Sequence, residues 1–140
     1  MITTDIIEVL REDSQIQSLL DASGSSDCAV FTSYNFDDTV TKQINISLEY
    51  GETVPFDQSA DTSDGIIRVY VMVKDTISEP IKTTHQIADR VLALLDLKGT
   101  TLSDTNTIYW VQKTDSDFTH YDNIRFYELL LSFRFVITNG

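Results

Sequence analysis

Between Gly65 and Asp96 the chain holds a long apolar strand that turns within a few residues into an amphipathic helix, and any fold it adopts must bury both. From Ile66 to Lys74 the odd positions Ile67, Val69, Val71 and Val73 are all β-branched, while Ile66, Arg68, Tyr70, Met72 and Lys74 alternate with them. Strand side chains alternate faces with period two, so one face is wholly apolar and the other mixed. This predicts an interior strand with a helical layer on one side and partial solvent on the other. Gly65 opens it. Ser78, Glu79 and Pro80 then mark a helix start, because a serine oxygen can cap free amides and proline at the first position gives up no intrahelical donor. Ile87, Val91, Leu94 and Leu95, with Ala88 between, recur at helical spacing and form a buried stripe, while Asp89, Arg90 and Asp96 lie off it. Gly99 is the expected stop.

A chain of 140 residues suits one domain, spanning 1–140. Its 41% hydrophobic and 10% aromatic content are globular values. The 22 acids against 10 bases give a formal net charge of −12. That balance argues against a nucleic-acid binder, which needs a basic footprint to displace counterions from phosphate, and against adhesion to anionic membranes. Cys28 is the single cysteine, so no intrachain disulfide can form. Met1 to Asp13 mixes Asp5, Glu8 and Glu12 with apolar residues and does not read as a signal peptide; no run approaches a membrane span. The expected compartment is a cytoplasm.

Along the chain, Thr3 or Thr4 can cap a first helix whose Ile6, Ile7, Val9 and Leu10 face the sheet, and Ser14 with Gln17 has capping-box form for a second turn carrying Ile16, Leu19 and Leu20. Cys28 to Tyr34 reads as a strand and Asn35 to Thr39 as a turn. Ile44, Ile46, Leu48 and Tyr50 alternate with Asn45, Ser47 and Glu49, a half-exposed antiparallel strand. Glu52 to Asp64, with Pro55, Asp57, Asp61 and Asp64, has little to bury and reads as an excursion between strands. After the central unit come a connection over Gly99 to Asn106, a strand over Thr107 to Lys113, and a hairpin-type loop over Thr114 to Asn123. The closing strand, Ile124 to Ile137, carries Tyr127, Leu129, Leu131, Phe133, Phe135 and Ile137 on one face and Glu128, Ser132 and Arg134 on the other. The spacing favours antiparallel pairing. The expectation is an α+β fold, a single antiparallel or mixed sheet of about five strands with two main helices on one face and Arg68, Tyr70, Glu128 and Arg134 on the other.

No constellation reads as a catalytic, cofactor or metal site. His85 stands four residues before Asp89, the spacing of an exposed helical pair. His120, with Asp115, Asp117 and Asp122, offers oxygen and imidazole donors, yet the stretch lacks the glycine and terminal glutamate of a calcium-binding loop, and a solvated turn is the better reading. Cys28 has no histidine close in sequence and reads as an inert thiol. Glycine-rich phosphate loops and nucleophile elbows are missing.

The succession of the helix IIEVLREDSQIQSLL, the unit GIIRVYVMVKDTISEPIKTTHQIADRVLALLDL and the aromatic strand RFYELLLSFRFVI resembles the tail terminator proteins of long-tailed bacteriophages. The resemblance covers nearly the whole chain as a pattern of elements, with no signature motif and no catalytic residues to carry over. It implies a virion subunit, assembled in the host cytoplasm into a ring, usually sixfold, that caps the tail tube and offers the head connector a docking surface. DNA would pass the lumen without specific binding, and the acids Asp57, Asp61 and Asp64, or Asp115 and Asp117, would project towards lumen or tube and repel phosphates. A ring needs a heterologous interface, for which strand edges and the Glu128, Ser132 and Arg134 face are candidates. Two other readings stand beside it: a neck or head–tail connector subunit of the same particle, and a free acidic binding protein such as a DNA mimic.

Overall fold

The computed structural model describes residues 2–32, 36–50, 62–96, 100–101 and 106–139. Two helices come first, α1 (Ile2–Glu12) and α2 (Ser14–Leu19), then strands β1 (Val30–Thr32), β2 (Lys42–Tyr50) and β3 (Thr62–Lys74). Helix α3 (Pro80–Leu95) follows, and the chain closes with β4 (Thr100–Thr101), β5 (Asn106–Tyr121) and β6 (Phe126–Asn139). The strands form one mixed sheet in the order β1-β2-β3-β6-β5-β4. All neighbours pair antiparallel except β1 with β2, which run parallel, so tight spacing did not dictate every pairing. The α+β architecture is the one the periodicities predict.

The β-branched face of β3 is the centre of the core. Ile67, Val69, Val71 and Val73 are fully buried, and register sets them beside Ile44 and Ile46 of β2 and Tyr127, Leu129, Leu131 and Phe133 of β6, with Phe135 next along the same face opposite Gly65. Helix α3 covers this face with Thr84, Ile87, Ala88, Val91 and Leu95, and Ile6 and Leu10 of α1 with Ile16 of α2 complete the layer. Each fully buried aliphatic side chain adds roughly 1.5–3 kcal/mol of transfer free energy. Leu94, placed on the stripe from sequence, is only half-buried, and Thr84 takes a core position by donating its hydroxyl to the Pro80 carbonyl at 2.7 Å.

Gly65 is required by close approach. A Cβ there would collide with the Glu49 carbonyl and lie 2.7 Å from Phe135 Cζ, so the aromatic ring of β6 occupies the space a side chain would need.

Several boundaries differ from the sequence reading. α3 starts on Glu79, whose backbone is left-handed at φ 50° and which gives no side-chain cap, so Ser78 does not cap it; Pro80 does hold the first position. It ends before Asp96, and the predicted stop at Gly99 lies outside the described residues. α1 begins at Ile2, which puts Thr3 and Thr4 inside its first turn. α2 is capped one residue earlier than expected: Asp13 Oδ2 accepts from the Ile16 amide at 3.0 Å, and Gln17 donates to the Arg11 carbonyl. The predicted loop over Thr114 to Asn123 is mostly strand. β5 continues to Tyr121, with irregularities between Ile108 and Trp110 and between Lys113 and Asp115, and the turn is confined to 122–125.

Asn45 corrects the picture of β2 as half-exposed. It and Gln43 are buried because residues 36–40 fold across the outer face of the sheet: Gln43 donates to the carbonyls of Asp37 and Val40, and Phe36 meets the ring of Phe126 at 5.5 Å. Phe126, on the face opposite the helices, is thereby fully buried as well.

Candidate assembly surface

The sheet's outer face unites two groups of residues that look unrelated in sequence. Residues paired across strands share a face. Asp115 stands opposite Ser132, Asp117 opposite Leu130 and Thr119 opposite Glu128, while Gln112 stands opposite Arg134. The acids of the predicted loop and the polar face of the closing strand are therefore one surface, continued across β3 by Ile66, Arg68, Tyr70, Met72 and Lys74. Asp64 belongs to β3, paired with Val136, and not to a loop; Asp57 and Asp61 lie outside the described residues.

Asp115 and Asp117 are exposed. Glu128 is half-buried, and burial pushes its carboxyl above the usual carboxylate range, with the Tyr121 hydroxyl, donating at 3.3 Å, opposing the rise and the Asp117 charge adding to it. Tyr121 is raised in turn, chiefly by the Glu128 charge. On β2 and β3, Arg68 pairs with Glu49 at 2.7 Å, and Lys74 donates to the Asp38 carbonyl while lying 5.8 Å from the Phe126 ring centre. The face is thus a mosaic of both signs.

β6 is interior, flanked by β3 and β5, so Glu128, Ser132 and Arg134 can offer a partner a face but no free strand edge. The edge belongs to β5. Only Thr107 and Ile108 pair with β4, which leaves the outer side of β5 beyond them without a strand neighbour among the described residues, apart from the Lys113 amide, which donates to Asp96 Oδ1 at 2.8 Å. At the other end of the sheet β1 is only three residues long, and its Val30 carbonyl is taken by the Arg11 guanidinium at 2.7 and 3.1 Å. Among the described residues one edge is blunted and the other is open.

On the helical side the two histidines join an aromatic row. His85 stacks on Phe118 at 5.4 Å, Phe118 on Tyr127 at 5.6 Å, and His120 on Tyr127 at 4.4 Å. His85 therefore turns to Phe118, and no pair with Asp89 is formed among the described residues. His120 Nε2 meets Asp75 Oδ2 at 2.9 Å and Nδ1 meets Asp122 Oδ1 at 3.1 Å, with Arg125 Nε 3.1 Å from both Asp75 oxygens. His120 and Arg125 hold the Asp75 carboxyl below the usual range. This cluster ties the 122–125 turn to the end of β3. Asp115 and Asp117 face the other side of the sheet, so they do not join His120 as ligands. Among the described residues no group of histidine, cysteine and carboxylate side chains is placed to hold a metal ion. Cys28 is 1% exposed, and burial raises its thiol pKa.

No protein-family model matches the sequence, and no curated protein matches it. Solved structures do. A chain from the virion of a native gene transfer agent (GTA) particle superposes with a TM-score of 0.73 at 13% identity, covering 96% of this chain and 92% of its own. A second solved chain superposes with a TM-score of 0.58, also at 13% identity, covering 100% of this chain and 98% of its own. At such identity the likeness is one of fold.

Proposed function

We propose that this chain is a structural, non-enzymatic subunit of a phage-like virion, built in several copies into a ring that caps the tail tube and joins it to the head connector. The observation that carries the reading is the end-to-end likeness of fold to a chain of the gene transfer agent virion. In this reading the whole chain, 1–140, acts as one α+β domain, made in the host cytoplasm and retained in the tail or neck of the particle. Its partners are further copies, the tail tube protein and a connector or neck protein.

The surface supports such a role. A closed ring needs two different patches on each subunit, and the open edge of β5 and the outer face of β6 at Ser132 and Arg134 are distinct surfaces of this kind. The exposed carboxylates Asp115 and Asp117, with Asp57, Asp61 and Asp64, supply negative charge that would keep passing DNA from adhering. A neck subunit of the same particle would share these features and differ in the partner it meets. A free DNA mimic fits less well, because Arg68, Lys74 and Arg134 interrupt the acids of the outer face, where a row of phosphate-like charges would be needed.

Size-exclusion chromatography with light scattering, followed by negative-stain imaging, tests the reading. A closed ring of about six copies is expected, alone or on added tail-tube ends. A monomer at every concentration that binds neither tube ends nor connectors overturns it. Binding to connectors and not to tube ends selects the neck position.

A further inference from the structure

The outer face of the sheet contains a cavity of about 170 Å³ lined by Phe36, Asn45, Tyr70, Met72 and Glu128. Asn45 is 2% exposed, and its Oδ1 has no hydrogen-bond partner among the described residues. The orientation of that amide is set by its neighbours. Gln43 Nε2 donates to the carbonyls of Asp37 at 2.6 Å and Val40 at 3.0 Å, which turns Gln43 Oε1 to receive Asn45 Nδ2 at 3.1 Å. Rotating the Asn45 amide would oppose two acceptors, so the oxygen is the atom left over. A buried acceptor with no donor forfeits its hydration without return, and native proteins rarely leave one so.

Glu128 supplies a second acceptor. Among the described residues it receives one hydrogen bond, from Tyr121, and its carboxylate has capacity for more. Burial and the Asp117 charge both disfavour its ionised form, a condition that an incoming cation would relieve. The remaining walls are two aromatic rings and a thioether. The occupant that matches has several donors, a positive charge and an apolar stem.

We propose that this cavity receives a lysine or arginine side chain of a second, different protein seated on the outer face, its charged head donating to Asn45 Oδ1 and the Glu128 carboxylate and its methylenes lying against Phe36, Tyr70 and Met72. Another copy of the chain is the poorer source, since carboxylates of the same subunit engage Lys42, Arg68, Lys82, Arg90 and Arg125 and carbonyls engage Arg11 and Lys74, although the exposed Lys113 has no ion pair among the described residues. The chemistry of the cavity does not depend on the virion role.

The test is a titration of the isotope-labelled full chain by nuclear magnetic resonance, following the Asn45 side-chain amide. The probes are N-acetyl-arginine amide and N-acetyl-lysine amide, with N-acetyl-norleucine amide as the uncharged control. At least one cationic probe is expected to give a saturable shift, the control none, and Glu128→Gln to weaken binding about tenfold. Asn45→Leu, read at the Tyr70 amide, is expected to abolish saturation. Four results overturn the proposal: no saturable response to either cation, equal saturation by the norleucine control, unchanged affinity in Glu128→Gln, or an Asn45 signal that moves with the protein's own concentration before any probe is added.

Discussion

Asp13 does two jobs with one carboxylate. Oδ2 caps α2 through the Ile16 amide, and both oxygens receive the Arg90 guanidinium of α3, at 2.6 and 2.9 Å. The pair joins elements 77 positions apart in sequence with a side chain only 12% exposed at Asp13. The Arg90 bonds hold the Asp13 carboxyl below the ordinary carboxylate range, outweighing burial, with the Ile16 amide adding to the effect. A depressed native pKa means that the stabilisation is present above the unfolded value and is lost as pH falls through the native one. Asp13→Ala is expected to lower the unfolding free energy at neutral pH by about 2 kcal/mol and Asp13→Ser by about half that, since serine keeps the cap and loses the ion pair. Urea denaturation at neutral pH and along an acid series checks both, and the gap between wild type and Asp13→Ser should narrow as pH falls from the ordinary carboxylate value through the lowered native one. The sequence showed polar residues at this bend, and its capping-box spacing favoured Ser14; the choice of Asp13 comes from Arg90, a partner that local pattern cannot reveal.

Among the elements, β3 and α3 were legible because their periodicity is written in apolar side chains that all meet one core. β5 was not. Its second half, Thr114 to Tyr121, is polar enough to resemble a loop, yet Phe118 and His120 alternate with Asp117 and Thr119 in register with Leu129, Tyr127, Leu130 and Glu128 of β6. An edge strand with one exposed face needs few apolar residues, so composition misleads there, and the absence of glycine or proline from 114–121 was the available signal. The buried Asn45 escaped for a related reason: residues 36–40 cover it, and a period-two pattern gives no sign of what lies over a face. The hairpin end is fixed by Asp75, whose amide donates to the Arg125 carbonyl at 2.8 Å while its carboxylate receives Arg125 and His120. Arg125 is held there at φ 65°, a left-handed conformation that needs such support. Asp75→Asn is expected to speed hydrogen exchange of the Arg125 and Phe126 amides about tenfold and to leave Val69 and Val71 unchanged. Equal acceleration at all four sites would make Asp75 a contributor to global stability and not to the local hold on the turn.

At the scale of the whole molecule, the sheet separates two kinds of surface. The helical side holds the core, with the His85, Phe118 and His120 row exposed beside it, whereas the outer side keeps Asp115, Asp117 and Arg134 exposed, with Glu128 half-sunk beside its cavity. If the subunits form the proposed ring, charge on the lumen-facing part of that surface acts on DNA through a potential that decays over about 8 Å at physiological salt, so residues must face the passage closely to matter. Asp115→Lys with Asp117→Lys tests whether they do. Both side chains are exposed and make no ion pair among the described residues, so the doubly substituted chain is expected to fold and to assemble as wild type does, read by circular dichroism and light scattering. Particles built from it are expected to release or take up DNA more slowly and to lose about tenfold in infectivity, with the loss shrinking as ionic strength rises. Unchanged infectivity with normal ring assembly would place these carboxylates away from the passage. Failed assembly with a normal subunit fold would move them instead to a contact between subunits, where the open edge of β5 already directs attention.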